Sequence, residues 1–307
     1  MSIRNIAVVG AGMMGKMIAF VFAGQYDVGV YDIQPVDIIG DIRENTEFLV
    51  EKGAMSEEEL ERRYDRIQFT TKMEQEIISG ADLVVEAVFE DMALKQEIFA
   101  RLEALCRDDC IFCTNTSVMS PSEISRDLQR RERFCATHFW NPAHLIPLVE
   151  VVMSDATSPG TARTVMDVLG GVGKKTVLCK KDVPGFIANR LQHALWREAF
   201  YMVQEGIADA KTVDDACKYG PGLRWPVMGP MENSDLVGIE LTYSIHDYIL
   251  KSLADNHEPS PLLREMLDSG ELGIKSGKGW QEWTPEQSAA LSAALREHLC
   301  GLRTASG

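Results

Sequence analysis

The stretch Ile6-Ala7-Val8-Val9-Gly10-Ala11-Gly12-Met13-Met14-Gly15 decides the fold. The apolar run Ile3 to Val9 reads as a buried strand, and the glycines after it keep the G-x-G-x-x-G spacing that joins a strand to a helix. Gly10 permits the tight turn, Gly12 lets a pyrophosphate approach the backbone, and Gly15 lets helix and strand pack closely. The helix start, Met13 and Met14 included, turns unpaired N–H groups and a positive dipole end toward the ligand, so an anionic dinucleotide needs no charged side chain there. Asp32 ends the next apolar run, Val28 to Asp32, twenty residues beyond Gly12. Its carboxylate can accept hydrogen bonds from a ribose diol and would repel a 2′-phosphate, and Ile33, Gln34 and Pro35 offer no arginine in compensation. The expected cofactor is therefore NAD⁺.

Working outward, Asp82 to Val88, Cys110 to Thr114, Arg133 to Phe139, Leu148 to Val152 and Gly173 to Cys179 read as further strands separated by helical patterns. That alternation predicts an α/β class with a Rossmann-type, doubly wound parallel sheet. Residues 36–66 form a long polar helical insertion, expected as a helical hairpin standing off the sheet, with Ser56 and Glu59 as a capping box. Such an arm either helps enclose a ligand or is a solvated decoration; spacing alone does not separate the two. Lys181 to Phe186 carries the Pro184-Gly185 punctuation of a boundary. The expected domains are residues 1–183, binding NAD, and an all-α domain at 184–307, ending in a helix capped by Thr284-Pro285-Glu286-Gln287.

The totals restrict the function. A chain of 307 residues suits about two domains at roughly 150 residues each. A formal charge of −15 excludes an ordinary nucleic-acid binder. No apolar stretch approaches the ~20 residues of a membrane helix, so no membrane partner is expected. Seven cysteines, an odd set without secretory spacing or a preceding signal peptide, read as reduced thiols of a cytoplasmic protein. Cys110 and Cys113 lie in a buried-strand pattern with no second pair, so no metal is expected.

Oxidation of an alcohol by NAD⁺ needs a base near neutral pKa beside the nicotinamide. Of six histidines, His138 ends a strand on the side where open α/β sheets place ligands. Glu150 follows twelve residues later inside an apolar run, where a carboxylate is costly unless paired. A His138–Glu150 pair would orient the imidazole and stabilise its protonated form. Spacing alone leaves this pair open between a catalytic and a structural role.

Six segments taken together, Gly10 to Gly15, Asp82 to Lys95, Asn115-Thr116-Ser117, His138 to Glu150, Asp182 to Arg190 and Gly273 to Gly279, resemble the L-3-hydroxyacyl-CoA dehydrogenase family over nearly the whole chain. The resemblance implies His138 as general base with Glu150 as its partner. It implies Ser117 and Asn189 as hydrogen-bond donors to the reacting oxygen or the histidine, and Glu90, Lys95 and Asn115 near the cofactor. It also implies a helical C-terminal domain that makes a homodimer. Read without the family, Ser117 just beyond a strand and Asn189 just beyond the domain boundary are placed for a cleft between domains, the plainer alternatives being a helix cap for Ser117 and a surface amide for Asn189.

Two stretches depart from the acyl-CoA pattern. The arm carries Lys52 but then turns acidic through Glu57, Glu58 and Glu59, which disfavours a CoA 3′-phosphate. Tyr219 to Pro230 is similar instead to relatives that oxidise small carboxylated alcohols, such as L-gulonate 3-dehydrogenase (the λ-crystallin relatives), L-carnitine dehydrogenase and a pyridine-carboxylate dehydrogenase. There Arg224 suits a substrate carboxylate and Trp225 a wall beside it, although Arg224 could equally serve a domain or dimer salt bridge. The expected substrate is a small 3-hydroxy acid, with an acyl-CoA ester as the alternative. Two other readings keep the cofactor domain: a crystallin-like NAD-binding protein without turnover, and a dehydrogenase with a lysine base.

Overall fold

Eight strands form one sheet: β1 (Asn5–Val9), β2 (Asp27–Tyr31), β3 (Ile67–Thr70), β4 (Leu83–Glu86), β5 (Ile111–Thr114), β6 (Phe134–Phe139), β7 (Leu148–Met153) and β8 (Lys175–Cys179). This computed structural model describes residues 3–305 and side chains as far as Leu302. The expected outer domain limits, at residues 1 and 307, lie outside the described residues. The strand order is β3-β2-β1-β4-β5-β6-β7-β8. It reverses direction between β1 and β4, which opens a crevice beyond the C-terminal end of β1, where Gly10 begins its turn. Strands β4, β5 and β6 are buried throughout, as sheets covered on both faces require.

The sheet differs from the sequence reading in two ways. Strand β3 was not expected: its four residues sit on the sheet edge beside β2, directly after the insertion, too short for an alternating pattern to stand out. The other difference is direction. Strands β6 and β7 pair antiparallel, whereas the neighbouring pairs along the rest of the sheet are parallel. Eight residues, 140–147, join them. A parallel crossover needs about a dozen or more, so the chain can only turn back.

Helices α1 (Met13–Phe22), α5 (Glu76–Ser79), α6 (Met92–Leu105), α7 (Pro121–Ile124) and α8 (Pro159–Gly171) connect the strands. The insertion contains three short helices, α2 (Ile38–Glu44), α3 (Phe48–Glu51) and α4 (Glu57–Asp65). It does not stand off the sheet. Ile38, Ile42, Leu49, Met55, Leu60 and Tyr64 are buried in the same core as β1 and α1. The reason is amphipathicity hidden by a polar composition: few apolar residues are present, but they share one face. Arg63 completes the attachment, its guanidinium 5.0 Å from the Phe20 ring centre and bound to Glu59. Ser56 does cap α4 by accepting from the Glu59 N–H, but Glu59 turns to Arg63 and not back to Ser56, so only half of the capping box forms.

The chain divides into two compact units. One runs to Ala188 and includes the chain from Ala294 onward, and the other covers Asn189–Ala293. The second unit holds most of α9 (Ala188–Gln204), then α10 (Ala210–Tyr219), α11 (Pro230–Val237), α12 (Ile239–Ile249), α13 (Pro261–Asp268) and the start of α14 (Pro285–Ala305). Thr284 and Gln287 cap α14 reciprocally, with Pro285 in its first turn. Helices α9 to α13 bury no residue fully and leave Met231, Leu236, Tyr243 and Tyr248 about three-quarters exposed or more. Among the described residues, no helix is long and apolar enough to cross a membrane.

Candidate active site

The glycine turn fits a dinucleotide. Gly10 has φ 103°, and a Cβ there would lie 2.8 Å from the Ala87 carbonyl oxygen. A Cβ on Gly15 would lie 1.8 Å from the Gly10 carbonyl oxygen, whereas one on Gly12 would meet nothing within 4 Å. Two glycines thus serve close backbone packing, while the third faces open space. Gly12 caps α1 with no side-chain hydrogen bond, and the first amides of α1, including those of Met13 and Met14, lack intrahelical acceptors by geometry. Asp32 accepts from the Ala11 N–H at 2.7 Å and the Gln34 N–H at 3.1 Å. Its carboxylate therefore pins the turn from the end of β2, the place from which it would meet a ribose.

The antiparallel β6–β7 pairing sets His138 directly opposite Glu150. Nδ1 of His138 lies 2.8 Å from Glu150 Oε2, and both side chains are buried. Glu150 Oε1 accepts the N–H groups of Ile187 and Ala188 at 2.9 and 3.0 Å, and the Trp140 indole N–H points at Oε2 from 3.4 Å. Burial by itself raises the Glu150 carboxyl, but the His138 hydrogen bond and the two amides outweigh it and hold the group below the usual carboxylate range. An anion on Nδ1 fixes the proton there and leaves Nε2 as the basic atom. The rings of Trp140 and Phe186 both pack against the imidazole, each with its centroid 5.7 Å away.

Beside the turn lies a second charged group. Glu86, fully buried at the end of β4, accepts from Lys95 Nζ at 2.7 Å, the Val88 N–H at 2.7 Å and the Thr114 hydroxyl at 2.6 Å. Lys95 is itself buried and lies 3.4 Å from Glu90. Glu90 accepts the Thr116 hydroxyl and, at 2.8 Å, the Ser117 N–H. Asn115 Oδ1 accepts the Phe139 N–H at 3.0 Å, tying the end of β5 to the residue after His138. Glu90, Lys95, Asn115 and Ser117 are therefore joined through the ends of β4, β5 and β6. Sequence reading missed Glu86, Trp140 and Phe186. A charged residue inside the apolar run Leu83-Val84-Val85-Glu86 was the available signal for the first.

Of the other expected residues, Lys52 belongs to the arm, and Arg224, Trp225 and Asn189 belong to the second unit. Lys52 pairs with Glu297 of α14 at 3.0 Å, which occupies the arm's candidate phosphate ligand. Arg224 and Trp225 follow a short 3₁₀ turn in the second unit and line a cavity of about 460 Å³ with Met228, Asn233 and His246. Asn189 is the first residue of that unit, one position after the Ala188 amide held by Glu150.

Residues 5–183 match the profile of the 3-hydroxyacyl-CoA dehydrogenase NAD binding domain, and residues 185–283 that of the 3-hydroxyacyl-CoA dehydrogenase C-terminal domain. The chain is 32% identical to 5-formyl-3-hydroxy-2-methylpyridine 4-carboxylate 5-dehydrogenase of Mesorhizobium japonicum, covering 98% of this chain and 97% of that one. It is 35% identical to a probable 3-hydroxybutyryl-CoA dehydrogenase of Bacillus subtilis, covering 94% of this chain and all of the other. A crystal structure of the pyridine-carboxylate enzyme, described as an NAD⁺-dependent dismutase, superposes with a TM-score of 0.88 over 98% of both chains. The chain therefore belongs to the 3-hydroxyacyl-CoA dehydrogenase family and is an NAD-dependent oxidoreductase that acts on CH–OH groups.

Proposed function

We propose that the protein oxidises the secondary alcohol of a small carboxylated 3-hydroxy compound, with His138 as general base and Glu150 as its partner. The observation that carries this reading is the 2.8 Å contact between His138 Nδ1 and Glu150 Oε2, made between register neighbours in a buried sheet. Nε2 takes the hydroxyl proton, and the charge that develops on the imidazole is balanced by the adjoining carboxylate. Ser117 and Asn189 hydrogen-bond the reacting oxygen. Bound NAD⁺ supplies the hydride acceptor, so the alcohol loses one proton and one hydride and becomes a carbonyl. Glu90, Lys95 and Asn115 hold the nicotinamide end of the site in shape.

The free carboxylate is assigned to Arg224, whose planar fork suits it, with Trp225 beside it. The named substrate of the Mesorhizobium relative, a pyridine carboxylate, supports that class. The arm supports it too, since Lys52 is already paired and its neighbours are acidic. A second reading, an acyl-CoA ester as substrate, is favoured by the Bacillus relative. NADH formation across 3-hydroxy acids, carnitine, pyridine carboxylates and their CoA counterparts decides between them. Efficient turnover of 3-hydroxybutyryl-CoA undiminished by Arg224→Ala rejects the free-acid reading. The exposed apolar side chains of α11 and α12 support a homodimer formed through the second unit, and the seven cysteines, an odd set without secretory spacing, support a cytoplasmic setting.

A further inference from the structure

Among the described residues, Phe186 is the only one other than glycine with a positive φ, at 50°. The chain reaches it through a turn closed by the Phe186 N–H donating to the Val183 carbonyl at 3.1 Å. Pro184 and Gly185, the latter at φ 74°, occupy the central positions as a type II turn requires. Glycine takes the left-handed region freely. A bulky residue takes it only where its surroundings hold it there.

Phe186 acts on the dyad from both its side chain and its backbone. Its ring, 2% exposed, meets the His138 imidazole edge-on at 61°. The chain leaving it delivers the Ile187 and Ala188 N–H groups to Glu150 Oε1. The same ring also packs on Ala136, Val152 and Cys179, a task that an unstrained apolar side chain could perform. Glycine would relieve the backbone just as readily. The chain instead keeps a phenyl group in an unfavoured conformation at the point where the ring touches the imidazole and the next two amides bind its partner.

We propose that Phe186 is a positioning residue for the base, its left-handed backbone and its ring together fixing the His138–Glu150 pair. This rests on reading His138 as the base. The test uses full-length protein with NAD⁺ and compares Phe186→Leu, Phe186→Gly and His138→Asn. It measures kcat, KM for NAD⁺, melting temperature and the low-field proton resonance of His138 Nδ1, identified by its absence in His138→Asn. Phe186→Gly suits φ 50° and guards against a variant that merely fails to fold. The expected result is a loss of about tenfold or more in kcat in both Phe186 variants, from small misplacement of the base. KM for NAD⁺ should stay within about threefold, and the Nδ1 proton should broaden into solvent exchange. The proposal is overturned if kcat stays within about threefold in both variants, or if activity falls only with the folded fraction while the Nδ1 proton of folded protein persists. Undiminished turnover in His138→Asn removes the underlying reading, and this proposal with it.

Discussion

At the scale of single residues, Glu150 does more than balance a charge. Its two oxygens are engaged by the imidazole, an indole and two amides, so the carboxylate is held as an anion in one orientation. Glu150→Gln keeps the shape but lets an amide N–H face Nδ1, which drives the proton to Nε2 and blocks the proposed base. Steady-state kinetics should show kcat reduced by on the order of 10²-fold or more, with folding retained. The same carboxylate links stability to pH. Its folded pKa lies below its ordinary value of 4.5, so the stabilisation is complete above that value. It is lost as pH falls from about 4.5 through the lowered folded value. Acid titration followed by circular dichroism should therefore show a steeper loss for the wild type than for Glu150→Gln. The two members of the pair were legible because a histidine and a glutamate interrupt apolar runs twelve residues apart. Phe186 and Trp140 were not legible, because an aromatic residue near a strand end looks like core until φ and ring contacts are known.

At the scale of elements, the β1–α1 turn separates two functions of glycine that one motif had merged. Gly15→Ala would drive a Cβ into the Gly10 carbonyl, a backbone atom that cannot move aside. Destabilisation of about 1–3 kcal/mol is expected, measured as a lower melting temperature. Gly12→Ala meets open space, so its melting temperature should be unchanged while NAD⁺ titration shows weakened binding. Lys95→Met would leave Glu86 buried without its cation, a loss of about 3–5 kcal/mol in denaturant unfolding. Most strands could be read from their apolar runs, but strand direction at β7 depends on the length of the preceding connection. The arm's packing was hidden because its apolar face is spread over three short helices separated by turns.

At the scale of the whole molecule, one sheet-based unit carries the turn and the dyad, while a helical unit carries Arg224 and a large exposed apolar surface. The proposed dimer predicts twice the chain mass by light scattering, and a clean active monomer would remove it. The helical character of the second unit was legible because helical periodicity runs almost without interruption after Phe186. Substrate choice was less legible, because the proposed partner of the carboxylate is a single arginine whose role no spacing defines. The most direct test of the account is NADH formation from small 3-hydroxy acids by wild type and His138→Asn, alongside NAD⁺ binding by each. Turnover should fall by at least ~10²-fold in the variant while NAD⁺ affinity is retained. Turnover by His138→Asn at the wild-type rate would contradict it.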